Sequence, residues 1–319
     1  MFKFIAKFAA VAALTVAAGV AAAYPTKPIT LIVPFSAGTI NDILARDFAQ
    51  ALTSVAKVNV VVENRTGAEG TLGGMGLLSA PADGHTLMFS SNSLTVFDPL
   101  IKKTIPYDPI KDLVPVCSVG RSTLLLNVSA AGPYKTVTDF VAAAKAQPGK
   151  LTFAYASTGM RLAGEMFAQA AGVQLTGVPY RASVAGLTDV SSGQVDAVFI
   201  DHSSARSFFE GGKLRPLVAG AQKRIAALPN LPSAAEAGLP AFAVQPWFGV
   251  YASGKTPPAI MAQVNELVGR AVKTPEIAAM QQNRGLESAD TCGDAMVKFR
   301  NDEMETWRAV VKKAGIQPS

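Results

Sequence analysis

Thr30-Leu-Ile-Val-Pro-Phe35 is the stretch that decides the fold of this chain. After Thr30 it is apolar, as expected of a strand buried on both faces of a parallel sheet. The loop Ser36-Ala-Gly-Thr-Ile-Asn41 follows it, and a helix is predicted from Asp42. Further strands predicted at 58–62 and 85–89 complete a βαβαβ pattern, which requires parallel strands joined by right-handed crossovers.

The loops after these strands lie at the carboxyl edge of the sheet, where open α/β sheets bind their ligands. The first loop ends on a helix N-terminus, whose free N–H groups and dipole favour an anion. The pattern therefore predicts a place to hold a carboxylate or a phosphate. It does not by itself predict a reaction.

The first 23 residues have the pattern of a signal peptide. Lys3 and Lys7 form a basic start, and the apolar core at 8–20 is too short and too rich in alanine to span a membrane. Ala21-Ala-Ala23 offers a small-residue cleavage site, and cleavage after Ala23 would leave a mature chain of 296 residues. We therefore expect a periplasmic protein.

The composition excludes several classes of function. Without Lys3 and Lys7 the formal net charge falls from +6 to +4, and no basic run suggests nucleic acid. A mildly basic cleft suits a small anion better. With only two histidines and two cysteines, we expect no metal site and no cofactor. Cys117 and Cys292 are either bridged, which export permits, or two buried thiols.

The pattern of strands and helices restarts after residue 131 and continues to 220, which predicts a second α/β lobe. The aromatic segment 242–251 is expected to return to the first lobe, beside an outgoing strand at 124–128. The second lobe is then an insertion, 127–245, in a first lobe made of 24–126 and 246–319. Two such lobes joined by two hinge strands form a clamshell that closes on a ligand.

Many short segments along the mature chain match a known family in order. They are Val33-Pro-Phe-Ser-Ala-Gly38, Val62-Glu-Asn-Arg-Thr-Gly67, Ala82-Asp-Gly-His-Thr-Leu87, Pro106-Tyr-Asp-Pro109, Leu162-Ala-Gly-Glu165, Gly193-Gln-Val-Asp196, Ala234-Ala-Glu-Ala-Gly-Leu239 and Trp247-Phe-Gly249. The chain thus resembles the tripartite tricarboxylate transporter receptors, the Bug or TctC-type solute-binding proteins. The resemblance implies a two-lobed Venus flytrap that binds an organic acid, acts as a monomer and delivers its ligand to a membrane transporter.

Transferred residue by residue, the resemblance implies a ligand site made by both lobes. The first lobe would contribute Ser36, Ala37, Gly38, Thr39, Ile40, Asn41, Ser90, Ser91 and Asn92. The second lobe would contribute Ser157, Thr158, Gly159, Arg161, Tyr180, Arg181, Ala182 and Ser183, with Asp201 and His202 at the rim.

Two residues depart from the family's usual pattern. Ile40 replaces a small polar residue, and Arg161 stands where a neutral residue or histidine is frequent. Together they suggest a ligand with an apolar body and an anionic end, although Arg161 could equally be structural. Asp201 could receive a ligand ammonium group, or it could cap the following helix, which is the preferred interpretation.

Catalytic interpretations are weak. Ser54-Val-Ala-Lys57 matches Ser-x-x-Lys, but no Lys-Thr-Gly or Ser-Asp-Asn follows it. The sequence contains no Gly-x-Ser-x-Gly or His-Glu-x-x-His motif. We therefore predict a receptor and not an enzyme. The alternatives are an exported hydrolase or transferase on a two-lobed scaffold, and a receptor that reports to a signalling sensor.

Overall fold

The structure is a computed structural model that describes residues 24–288, 291–313, 315–316 and 318. The predicted signal peptide and its cleavage site, residues 1–23, lie outside the described residues. Among the helices that are described, none has the length and apolar character needed to cross a membrane.

Strands and helices alternate along most of the chain, as the sequence pattern predicts. The strands are β1 Ile29–Val33, β2 Val60–Asn64, β3 Thr86–Ser91, β4 Leu113–Arg121, β5 Leu124–Ser129, β6 Thr152–Tyr155, β7 Thr176–Pro179, β8 Ala197–Asp201, β9 Leu214–Ala219 and β10 Trp247–Ser253. The helices are α1 Ile40–Ala56, α2 Thr71–Ser79, α3 Asp98–Ile101, α4 Val137–Ala146, α5 Thr158–Ala171, α6 Ser183–Ser192, α7 His202–Glu210, α8 Pro258–Ala271, α9 Pro275–Arg284 and α10 Asp294–Lys313.

The first lobe is built on a sheet with strand order β2-β1-β3-β10-β4. β1 pairs in parallel with β2 and β3, whereas β10 runs antiparallel between β3 and β4. Ile29, Leu31 and Val33 of β1 are fully buried, in agreement with the apolar run that predicted the strand. Helices α1, α8 and α9 pack together on this lobe, and α10 packs against β4.

The second lobe is built on a sheet with strand order β7-β6-β8-β5-β9. β6 pairs in parallel with β7 and β8, and β5 runs antiparallel to both β8 and β9. A cluster of aromatic side chains fills the core beneath this sheet, with Phe167 and Phe199 at 5.5 Å between ring centroids and Phe242 stacked edge-on against both. The two-lobed α/β class predicted from the sequence is confirmed.

The chain crosses between the sheets twice, at 121–124 and at 244–247. The two crossings lie side by side, because Ser122 N–H donates to Pro246 O at 2.9 Å and Leu124 N–H donates to Val244 O at 3.2 Å. The predicted pairing of 124–128 with the returning strand is wrong: β10 pairs with β4, and β5 belongs to the second sheet. The sequence indicates that the chain passes between the lobes twice. It does not show at which residue each passage leaves one sheet and enters the other.

A disulfide joins Cys117 of β4 to Cys292, which precedes α10. The bridge fastens the C-terminal segment to the first sheet, and the backbone supports it, because Gly293 N–H donates to Val116 O at 2.8 Å. Within α10, Trp307 packs edge-on against Phe97 at 4.9 Å between ring centroids. The C-terminal helix is therefore part of the first lobe.

Candidate functional site

A small cavity of about 40 Å³ lies where the carboxyl ends of β1 and β3 face those of β6 and β8. Its described lining residues are Phe35, Thr39, Ile40, Asn41, Ser91, Ser93, Leu124, Ser157, Gly159, Met160, Ser183, Ile200, Asp201, Ser204, Pro246 and Phe248. A space of this size holds a few water molecules or an equally small part of a ligand. Both lobes and both crossing segments therefore contribute to one site.

The loop before α1 is held in shape by its own polar groups. Gly38 has a φ of 79°, and its N–H donates to Asp42 Oδ2 at 3.0 Å. Burial opposes ionisation of Asp42, but hydrogen bonds from Arg46, the Gly38 N–H and Asn64 lower the pKa of its carboxyl group. A charged Asp42 thus fixes the turn that brings Ile40 and Asn41 to the cavity.

Helix α1 has no side-chain cap from its own N-cap residue, Thr39. Its first N–H, that of Ile40, instead donates to Ser204 Oγ of the second lobe at 2.8 Å. The Asn41 side chain is 8% exposed, and its Oδ1 has no hydrogen-bond partner among the described residues. This helix N-terminus therefore already closes against the opposite lobe while leaving a polar group in the cavity.

The sequence pattern predicts a helix at 162–171, but helix α5 starts at Thr158, four residues earlier. Ser157 is its N-cap, since Ser157 Oγ accepts a hydrogen bond from Met160 N–H at 3.3 Å. A Cβ at Gly159 would lie 3.0 Å from Ser93 Oγ, so glycine permits the close approach of the lobes. The earlier start places a second helix N-terminus at the cavity.

Helices α6 and α7 also begin at the cavity. The sequence predicts a helix at 183–192 with a serine N-cap. The bounds are confirmed, but the N-cap is Ala182, which has no side-chain hydrogen bond, and Ser183 is the first helical residue. Asp201 caps α7, with Oδ1 accepting from Ser204 N–H and Oδ2 accepting from Ser204 Oγ, both at 2.9 Å. Burial raises the pKa of the Asp201 carboxyl, and the hydrogen bonds from Ser204 oppose that rise.

A second interlobe contact adjoins the cavity. The Thr158 hydroxyl faces two carboxylates of the first lobe, Glu69 Oε2 at 3.1 Å and Asp98 Oδ1. Lys102 Nζ lies 2.9 Å from Asp98 Oδ2. Burial raises the pKa of Asp98 to about 6, although Lys102 and Thr158 act in the opposite direction. Thr158 therefore binds the first lobe and does not line the cavity.

The structure brings eight of the predicted site residues to the cavity wall: Thr39, Ile40, Asn41, Ser91, Ser157, Gly159, Ser183 and Asp201. The other predicted residues lie outside the lining set: Ser36, Ala37, Gly38, Ser90, Asn92, Thr158, Arg161, Tyr180, Arg181, Ala182 and His202. Alternation along β3 explains two of them, because side chains next to Ser91 point to the other face of the strand. Asn92 Nδ2 accordingly donates to Glu303 Oε2 of α10 at 3.2 Å.

Several of the outer residues are engaged elsewhere. Arg161 pairs with Glu165 one helical turn on, with 2.7 Å between Nε and Oε1. The Tyr180 hydroxyl donates to Asp189 Oδ2 at 2.6 Å. His202 stacks on Phe209 with 5.6 Å between ring centroids, and burial lowers its pKa. Arg181 is exposed.

Sequence reasoning missed half of the cavity wall: Phe35, Ser93, Leu124, Met160, Ile200, Ser204, Pro246 and Phe248. Ser93 stands in the polar run after β3, and Ser204 stands three residues after Asp201, so both had a local signal. Leu124, Pro246 and Phe248 had none, because only the side-by-side crossings bring them to the cleft.

A larger groove of about 760 Å³ lies between α10 and the second lobe, where Arg121 stacks over Phe299 at 5.4 Å. The smaller cavity is the candidate functional site. The helix N-termini and strand ends of both lobes converge there, as expected for open α/β sheets.

Comparison with known proteins agrees with this architecture. The model of the tripartite tricarboxylate transporter family receptor, TctC, matches residues 44–316. Protein BugT of Bordetella pertussis is 32% identical over 295 residues, covering 92% of this chain and 90% of BugT.

Two solved structures are similar over their full length. A Rhodopseudomonas palustris protein solved with adipate has a TM-score of 0.86 at 30% identity, covering 93% of this chain and 100% of its own. MatC from the same species, solved with bound malate, has a TM-score of 0.83 at 27% identity, covering 90% and 100%. The chain therefore belongs to the tripartite tricarboxylate transporter receptor family of solute-binding proteins.

Proposed function

We propose that this chain is a periplasmic receptor that captures a small organic carboxylate between its lobes and delivers it to a tripartite tricarboxylate-type membrane transporter. The observation that carries the proposal is the convergence of the N-termini of α1, α5 and α6 on one interlobe cavity. Helix N-termini stabilise a carboxylate through their N–H groups and dipoles without a basic side chain. The adipate and malate bound to the two similar structures agree with this ligand class.

Capture couples to closure in this proposal. The two lobes turn about the crossings at 121–124 and 244–247. A ligand favours the closed form only by its higher affinity for that form. In the closed form Ile40 of the first lobe and Gly159 and Ser183 of the second contact the ligand together. These contacts with both lobes give the closed form its higher affinity. The closed receptor, cleaved after Ala23 and monomeric, then docks on the transporter.

Catalysis receives no support from the cavity. The described lining residues include serines and Asp201 but no histidine, lysine or cysteine that could act as a base or an activated nucleophile. Ser204, the serine hydrogen-bonded to Asp201, is held between that carboxylate and Ile40 N–H. These contacts suit a role in closure.

The proposal is tested on the mature chain, unfolded and refolded to remove carried-over ligand. Mono-, di- and tricarboxylates, aromatic acids and amino acids are screened by thermal shift. A ligand at about 100 times its Kd should stabilise the fold by about 2.7 kcal/mol, a shift of a few degrees. Small-angle scattering should then show compaction with each hit. A folded chain that responds to no carboxylate would refute the receptor function.

Delivery is tested separately in cells. Deletion of the gene should abolish uptake of the identified ligand, and the wild-type chain should restore it. A variant that binds ligand normally but lacks the signal segment 1–23 is the matched control, and it should fail to restore uptake. Normal uptake in the deletion strain would show that transport does not require this receptor and would leave sensing as its role.

A further inference from the structure

The groove between α10 and the second lobe is separate from the ligand cavity, and the two share no described lining residue. Its volume of about 760 Å³ falls within the range of about 300–1,000 Å³ that small-molecule sites occupy in proteins. Both lobes contribute to its apolar wall: Met166, Ala170 and Ala243 belong to the second lobe, and Phe299, Trp307 and Val310 belong to α10. The groove therefore has the size and the lining of a binding site.

Arg121, the last residue of β4, places a cation in this apolar wall. Its guanidinium lies over the ring of Phe299, 5.4 Å from the ring centroid, and the residue is half-buried. Among the residues that the structure describes, no carboxylate forms an ion pair with this guanidinium, and no group accepts a hydrogen bond from it. Its N–H donors therefore remain for an anionic group, which can accept two of them at once.

The acidic residues of the groove are engaged within the protein. Glu303 Oε2 accepts from Trp247 Nε1 and from Asn92 Nδ2, the second at 3.2 Å. Burial raises the pKa of the Glu303 carboxyl, and these donors and Arg121 oppose that rise. Asp302 forms an ion pair within α10 on the exposed face of the helix. Both carboxylates thus have donors, whereas the guanidinium of Arg121 has no acceptor, so the groove suits an anion better than a cation.

The groove and the cavity lie on opposite sides of the two crossings. On β10, Phe248 lines the cavity, whereas its neighbour Trp247 contacts Glu303 of the groove wall, because side chains alternate along a strand. Beside the other crossing, Leu124 lines the cavity and Arg121 lines the groove. Helix α5 begins at the cavity and reaches the groove with its C-terminal half. A rotation about the crossings that opens the cavity must therefore narrow the groove.

We propose that this groove is a second binding site, for a small amphiphile with an anionic head and an apolar body, and that its occupant favours the closed receptor. The head pairs with Arg121, and the body packs against Phe299 and Trp307. An occupant that fills the space between α10 and α5 resists narrowing of the groove, so it stabilises the form in which Ile40 meets Ser204. The site itself is independent of the proposed function, and only its coupling to ligand capture rests on that function.

The probe is octane-1-sulfonate, an anion without a carboxylate, titrated calorimetrically into the refolded mature chain. 1-Octanol and octylammonium carry a neutral and a cationic head on the same chain, and methanesulfonate has the anionic head without the chain. Octane-1-sulfonate should bind about tenfold or more tightly than each of the three. Small-angle scattering of the chain with octane-1-sulfonate alone should show compaction, because the bound probe favours the closed form.

Two variants locate the bound probe. Arg121→Gln removes the cation and should weaken binding of octane-1-sulfonate by about tenfold. Arg270→Gln is the matched control, because Arg270 is an exposed residue of α8 outside the groove. Ala170→Trp fills the groove from the second lobe and should abolish binding. Ala278→Trp adds the same bulk on the exposed side of α9 and should leave binding unchanged.

The remaining outcomes decide against the proposal. Octane-1-sulfonate that binds no more tightly than 1-octanol, or that binds Arg121→Gln and Ala170→Trp as it binds wild type, would overturn the second site. Binding without compaction would overturn its coupling to closure. The ranking of the four probes on wild type is decisive even if a variant fails to fold. Carboxylate capture is measured by its own screen without sulfonate, so failure of either proposal leaves the other standing.

Discussion

Ile40 N–H donates to Ser204 Oγ at 2.8 Å across the cleft, so the first helix of one lobe is capped by a side chain of the other. The two residues are 164 positions apart in the sequence. An uncapped helix N-terminus leaves N–H groups without partners, and here closure of the lobes supplies one. The Ser204 hydroxyl in turn donates a hydrogen bond to Asp201 Oδ2, so the interlobe contact and the cavity carboxylate form one hydrogen-bonded chain.

Ser204→Ala should weaken ligand binding by about 1–3 kcal/mol, because Ile40 N–H loses its acceptor and Asp201 Oδ2 loses a donor in the closed form. Titration measures the affinity, and small-angle scattering measures compaction. Ser207→Ala, on the exposed side of α7, is the control and should change neither. Unchanged affinity in Ser204→Ala would mean that the ligand itself replaces this hydrogen bond.

Stability should depend on pH through Asp98. Its pKa is raised by burial from 3.8 to about 6, so the folded chain binds this proton more tightly than the unfolded chain. The resulting stabilisation of the folded state is fully present below pH 3.8 and is lost as the pH rises through 6. The difference between the unfolded and folded pKa values corresponds to about 3 kcal/mol. Asp98→Asn should remove this pH-dependent contribution to the free energy of unfolding, which urea denaturation at pH 4, 5, 6 and 7 measures.

Asp83 provides the control for this pH dependence. Burial acts to raise the pKa of the Asp83 carboxyl, but hydrogen bonds from Lys27 and His85 N–H lower it to about 2. Its contribution is therefore present above pH 3.8 and is lost as the pH falls towards 2. Asp83→Asn should leave the slope between pH 4 and 6 as in wild type. An equal change in both variants would contradict the assignment to Asp98.

Removal of the disulfide should cost much of the stability. The bridge closes a loop with a sequence separation of 175, for which loop entropy gives up to about 5 kcal/mol. Replacement of Cys117 and Cys292 by alanine should lower the urea midpoint, and a reducing agent should affect wild type but not the double variant. A loss below about 1 kcal/mol would show that packing of α10 alone holds the C-terminal segment.

Arg161→Ala should change ligand affinity by less than about threefold, because Arg161 pairs with Glu165 and lies outside the cavity lining. Calorimetry on the ligand identified by the screen measures the effect, and Glu165→Gln is the companion variant. A loss of about 2 kcal/mol in Arg161→Ala alone would restore the ligand clamp considered from the sequence.

Gly73→Ala should destabilise the fold by about 1–3 kcal/mol and also weaken binding, since a Cβ there would lie 2.4 Å from Pro34 Cβ. Pro34 precedes the cavity residue Phe35, so the strain reaches the site. Gly269→Ala is the control: nothing lies within 4 Å of its Cβ position in α8. It should stabilise the fold by about 0.5–1 kcal/mol without an effect on binding.

The loop after β1 illustrates how far the sequence leads. The apolar run before it and the helix after it predict an anion site, and Thr39, Ile40 and Asn41 do line the cavity. The roles of single residues were harder to predict from the sequence. Arg161 had the chemistry of a clamp, but a carboxylate one helical turn away engages it. Asp201 was predicted at the rim of the site with helix capping as its preferred role, and the structure shows that it both caps α7 and lines the cavity.

The sequence by itself determined the strands, helices and parallel βαβ order, because local periodicity, glycines and crossover handedness act over short stretches of chain. It also predicted an anion site at the strand-end loops. Only the tertiary structure decided which loops meet, that Ser204 closes on Ile40, and that Leu124, Pro246 and Phe248 complete the wall. Those contacts join residues far apart in the chain, and their formation depends on how two sheets pack across the paired crossings.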